Sequence, residues 1–174
     1  MDWRDRPMPP AVAALPRDPR GYPILYSIQQ DDGTYNFLAM DPRRVMMCAQ
    51  QHLCGVCGQS LAPPLSFVGG PLSLANRVYS EPPMHRACFD YAHAVCPFLV
   101  NPHYQRVMAR QDRPTNLQRD STGTPLDARR FAVVTTARYW FHIHDGTPLF
   151  RIFPAMRVEW FGDEGGGDDG SDSQ

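Results

Sequence analysis

The sequence predicts an α+β protein with short helices at its centre and an antiparallel β-sheet at its C-terminal end. Three observations predict it. Cys54-Gly-Val-Cys57 and His85-Arg-Ala-Cys88 place two pairs of potential metal ligands in the middle of the chain. Two stretches beside them read as helices. One runs from Arg43 to about His52 after Asp41-Pro42, and one from Met84 to Cys96 between Pro82-Pro83 and Pro97. Residues 131–161 then turn to β, with β-branched and aromatic residues around a strong Asp145-Gly146 hairpin turn.

The ligand pairs come first because they organise the rest. Two residues between Cys54 and Cys57 let both sulfurs face one ion, and Gly55 and Gly58 relieve the tight backbone of such a knuckle. On a helix His85 and Cys88 are i and i+3 and share a face. A knuckle, a hairpin-rich spacer and a helix carrying the last two ligands is the build of a treble-clef zinc finger. The expected core is therefore treble-clef-like, with Cys54, Cys57, His85 and Cys88 as ligands of one zinc ion. Four protein ligands leave no open position, so the zinc is expected to be structural. Two competing readings remain. The residues can be buried apolar thiols with a core histidine. Cys54 and Cys57 can also be a redox pair, but that motif places its thiol at a helix N-terminus after a strand. Here a helix precedes Cys54 and a glycine follows Cys57.

The remaining elements follow in chain order. Residues 1–20 are rich in Pro and Arg and read as a flexible, extended arm. Tyr22 to Ile28 and Thr34 to Met40 read as two strands of a hairpin, turned at residues 29–33. In the following helix Val45, Met46, Ala49 and Leu53 form an apolar stripe, and Cys48 reads as a core thiol. Within the spacer, Leu65 to Val68 and Leu72 to Tyr79 can pair as a short hairpin across Gly69-Gly-Pro71. Arg77 there reads as a solvated residue. Cys96, two helical turns beyond Cys88, reads as a buried thiol and His93 as an ordinary surface or core histidine. Residues 110–130 read as a long polar loop. The stretch 103–130 holds six arginines and three aspartates, which makes Arg106, Arg110, Arg129 and Arg130 the candidate phosphate contacts. An ordinary solvated loop is the plainer reading. His142 and His144 share one face of a strand, without an obvious third metal ligand.

Composition sets the frame. An apolar fraction of 43% supports a real core, whereas 18 prolines and 13 glycines predict short elements and long turns. All 17 basic residues are arginine. The stretch 162–174 carries five acids and no base, which leaves residues 1–161 with 17 arginines against 13 acids, a charge of about +4. The tail has too little to bury and is expected to be disordered. The expected organisation is thus an arm over 1–20, one zinc-stabilised α+β domain over 21–161 and an acidic tail over 162–174. The charged N-terminus lacks a signal-peptide pattern, no apolar run reaches a membrane span, and the cysteine spacing fits a reducing compartment. The expected location is the cytoplasm.

Several of these pieces together resemble a known group. They are Arg20-Gly-Tyr-Pro23 before a hairpin, the Cys54–Gly58 knuckle, the Gly69-Gly-Pro71 turn, Ser80-Glu-Pro-Pro83, His85-Arg-Ala-Cys88, Cys96-Pro-Phe-Leu99 and Val158-Glu-Trp160. The chain resembles small proteins of actinobacteria and their phages over about residues 20–161, most specifically over 54–99. The resemblance implies zinc at the four ligand positions. It implies no activity.

The function expected is a non-catalytic zinc-stabilised binding protein contacting a protein or nucleic acid. A metal-dependent nuclease of HNH type is the alternative, since treble clefs host that site. It requires a histidine base on the spacer hairpin, and residues 59–83 contain neither His nor Asp. A phage-encoded modulator of a host protein is a further alternative. No P-loop, dinucleotide turn or nucleophile elbow is present in the sequence.

Overall fold

The computed structural model of the chain describes residues 5–37, 39–95 and 131–161. Over these residues the protein is α+β. The helices are α1 (Pro10–Ala13), α2 (Pro42–Gln51), α3 (Pro71–Asn76) and α4 (Arg86–Val95). The strands are β1 (Leu65–Gly69), β2 (Val78–Tyr79), β3 (Phe131–Thr136), β4 (Tyr139–His144), β5 (Thr147–Ile152) and β6 (Arg157–Phe161). They form two antiparallel three-stranded sheets, ordered β1-β3-β6 and β2-β5-β4.

Strand β3 divides the interior. Successive side chains of a strand point to opposite faces. Val133 accordingly joins one buried cluster, with Cys54, Val56, Cys57, Cys88, Phe89 and Val12. Ala132 and Val134 join the other, with Val45, Ala49, Phe67, Tyr79, Phe150 and Ile152. The ligand cysteines therefore lie against one face of the first sheet, and the second sheet and α2 cover the other. An uninterrupted apolar run in β3 is what burial on both faces demands.

Helix α2 forms as its sequence dictates. Asp41 caps it by accepting the backbone N–H groups of Arg43 and Arg44, and Pro42 takes the first turn. His52 ends it in the left-handed conformation, at φ 53°. The Asp145-Gly146 turn joins β4 to β5 as expected, with both residues at positive φ.

Three expectations are corrected. The arm over 1–20 is not wholly extended. Helix α1 buries Val12 completely against the cysteine cluster. Asp18, also buried, accepts the N–H groups of Arg20 and Tyr22 and the Arg20 guanidinium. The folded body therefore begins before residue 21. Among the described residues of 22–40, the expected strands do not form either. A 3₁₀ turn at Tyr26–Ile28 and a single bridge, Gln29 to Tyr35, replace the hairpin. The reason is that the N–H groups of Tyr26 and Ser27 are taken by the carbonyls of Val56 and Gly55 in the knuckle. Finally, β1 and β2 are not partners. Pro71 starts α3 behind Gly70, and each strand pairs instead with a strand from the C-terminal third.

Candidate metal centre

The knuckle is built by its own backbone. The Cys54 N–H donates to the Gln59 carbonyl at 2.8 Å, and the Gly58 N–H donates to the Cys54 carbonyl at 2.8 Å. Gly58 sits at φ 72°, a region open to glycine. Gly55 is required by contact instead. A Cβ there would lie 2.4 Å from Cγ of Pro82. The same glycine donates its N–H to the Pro83 carbonyl at 2.9 Å, which ties the knuckle to the segment leading into α4.

That segment positions the second ligand pair. Met84 and Ser66 exchange two backbone hydrogen bonds, of 3.0 and 2.9 Å, so β1 fixes the residue just before His85. Helix α4 starts at Arg86, two residues later than the expected start at Met84. His85 therefore precedes the helix, and its carbonyl accepts the Phe89 N–H at 3.1 Å. Cys88 lies in the first turn. The i, i+3 relation holds across this boundary and brings both side chains to the knuckle.

The ligand atoms of Cys54, Cys57, His85 and Cys88 all lie within 4.8 Å of one another. His85 Nδ1 is 3.5 Å from Cys57 Sγ and 3.7 Å from Cys88 Sγ. A tetrahedral ion with bonds of about 2.3 Å to sulfur and about 2.0–2.1 Å to nitrogen needs an S···N edge of about 3.5 Å. These two S···N distances match such an ion. The other ring nitrogen, Nε2, lies 3.2 Å from the Ser60 carbonyl. A carbonyl only accepts, so Nε2 carries the proton and the Nδ1 lone pair faces the sulfurs.

The three thiols are close enough to influence one another's ionisation. The three cysteines are buried and free of disulfides. Hydrogen bonds from Cys57 and Cys88 pull the Cys54 thiol down to about 2, and backbone N–H groups of Cys57 and His85 assist. Those side-chain bonds to Cys54 push the Cys57 and Cys88 thiols up in return. Ionising all three requires a positive charge among them.

Cys48 stands apart from this group. It is fully buried in α2, and burial pushes its thiol up to about 12. It is a core thiol, as read from sequence. His142 and His144 are exposed on β4, and no cluster with metal-ligand geometry includes them among the described residues. His93 stacks on Phe89 and meets Phe161 edge-on, and burial lowers its pKa. Arg77 is exposed and caps α3 in the left-handed conformation. Arg106, Arg110, Arg129, Arg130, Cys96 and the acidic tail lie outside the described residues.

Two participants were not found by sequence reasoning. The Ser60 carbonyl that orients His85 carries no side-chain signal. Arg86 grips both carboxylate oxygens of Glu159 on β6 while its Nε reaches Asp90 at 2.7 Å. This ties the first turn of the ligand helix to the sheet. Among the described residues, no helix is long and apolar enough to cross a membrane. No protein-family model, curated protein or solved structure matches the chain.

Proposed function

We propose that the Cys54, Cys57, His85 and Cys88 centre holds one structural zinc ion, and that the chain is a zinc-stabilised binding protein for a macromolecular partner. The observation that carries this reading is the closed donor set. Four protein ligand atoms within 4.8 Å satisfy a tetrahedral ion with no position left for water or substrate. Three thiolates and one imidazole in tetrahedral array select zinc over the harder divalent ions. Bound there, zinc supplies the charge that lets the thiols ionise together. His85 cannot also serve as a nuclease residue, because both its ring nitrogens are engaged by the sulfurs and the Ser60 carbonyl.

The test is elemental analysis of the purified full chain, followed by replacement of the metal with cobalt(II). The proposal expects one zinc per chain, and a cobalt spectrum with strong thiolate-to-metal charge-transfer and tetrahedral bands. An iron–sulfur chromophore, or protein that is folded and metal-free, would overturn it.

A further inference from the structure

The β4–β5 hairpin has one face in the core and one in solvent. Tyr139, Phe150 and Ile152 point inward, and Tyr139 meets Phe67 and Phe150 edge-on. The alternate residues point outward. Their register sets Trp140 opposite Arg151, His142 opposite Leu149 and His144 opposite Thr147. One step before Tyr139, Arg138 meets Phe153, joined by a backbone bond of 3.3 Å.

Two of these outward rows pair a guanidinium with an aromatic ring. Arg138 lies over Phe153 at 4.6 Å, and Arg151 lies over Trp140 at 5.9 Å. Trp140 also meets His142 at 5.6 Å. Trp140 is 48% exposed and Phe153 is 40% exposed. The strand residues 139–144 and 147–152, with Arg138 and Phe153 beside them, contain no carboxylate. Asp145, at the turn tip, sits beside His144 at 3.6 Å. Strand β4 ends its sheet, so the face is open along one flank among the described residues.

Aromatic rings and arginine occur at protein interfaces as well as in nucleic-acid grooves. What singles out a polyanion here is the sign of the charge: a cation stands in each aromatic row and no carboxylate stands in the strands. Rings offer stacking surfaces to bases, and guanidiniums bind phosphate bidentately. Successive rows recur at roughly 6.8 Å along the strands, which separates the platforms enough for individual unstacked bases. A duplex hides its base faces and cannot use them.

We propose that the outward face of β4 and β5 binds single-stranded nucleic acid, with Trp140 as the stacking platform and Arg138 and Arg151 as phosphate contacts. The assignment rests on the reading of the chain as a binding protein and names its partner.

The experiment is fluorescence anisotropy with the zinc-loaded full chain. Labelled single-stranded DNA and RNA of about 12 nucleotides, and duplexes of the same sequence, are titrated at two salt concentrations. The expected result is preference for single strands, with affinity that falls as salt rises. Trp140→Ala weakens single-strand binding about tenfold or more, whereas Trp140→Phe retains most of it. Arg151→Ala reduces the slope of log affinity against log salt by about one. These side chains are exposed, so unchanged melting curves identify the losses as losses of contact. The DNA and RNA arms show which strand is preferred. Equal or tighter binding of duplex, no binding at low salt, or indifference to Trp140→Ala would each overturn the assignment. So would a protein ligand that needs Trp140 when oligonucleotides do not bind. Oligonucleotide binding indifferent to Trp140, or such a protein ligand, leaves the broader binding-protein reading standing. Metal content tests the zinc centre independently.

Discussion

Gly55 and Ser60 illustrate two ways in which single residues fix the metal centre. Gly55 gives up its side chain so that Pro82 can pack on the knuckle. Gly55→Ala would force backbone against a rigid ring, an overpacking that costs about 1–3 kcal/mol. Urea denaturation of the metal-loaded variant checks this, through a lower midpoint at unchanged slope. The glycine was legible from the knuckle motif, but its cause was not, because the ring it makes room for belongs to Pro82 in the segment leading into α4. The Ser60 contribution was not. It comes from the main chain, which any residue supplies, and depends on the Leu53–Ser60 bridge bringing that carbonyl beneath His85. Trp140 marks the same limit. Residues 131–161 read as β from their aromatic and β-branched content, yet within them Tyr139 takes the inward face and Trp140 is left half in solvent. Alternation was evident in the sequence, but its phase relative to the core was set by pairing with β5.

At the scale of elements, the ion pair between Arg86 and Glu159 joins α4 to β6. Hydrogen bonds from the Arg86 guanidinium hold the Glu159 carboxyl below its usual value of 4.5, against a smaller opposing effect of burial. Arg157 adds a contact at 3.2 Å. A carboxylate with a depressed folded-state pKa contributes stability that is present above its ordinary value and lost as pH falls through the folded one. The wild type is therefore expected to exceed Glu159→Gln in melting temperature at neutral pH, with the gap closing below about pH 4.5. Melting curves across this range check it, and a gap independent of pH would contradict the assignment. The elements themselves were unevenly legible. Helix α2 was readable because Asp41, Pro42 and the apolar stripe agree on one answer. Helix α3 was hidden because Gly69-Gly70-Pro71 serves equally well as a hairpin turn or as a helix entry. The β pairing of residues 65–69 was decided by β3, more than sixty residues away. The segment 22–40 has strand-like composition, but the N–H groups of Tyr26 and Ser27 are spent on the knuckle.

At the scale of the whole molecule, the metal centre and the C-terminal sheets share one interior. Val133 touches the cysteine cluster, and its neighbours Ala132 and Val134 touch the cluster beneath the second sheet. Val12 closes the cysteine side from the N-terminus, a contact that the proline-rich composition of residues 1–20 concealed. Loss of the ion would leave three buried thiols to compete for protons in the middle of this arrangement, with the knuckle, α1 and α4 all resting on them. The centre is accordingly expected to stabilise the protein globally and not only to shape a local loop. The most direct measurement is thermal unfolding of the zinc-loaded chain with and without a strong chelator, under reducing conditions, followed by circular dichroism. The account predicts that the chelator abolishes the cooperative transition or lowers it steeply, and that added zinc restores it. An unchanged transition in protein verified to have lost its metal would contradict it.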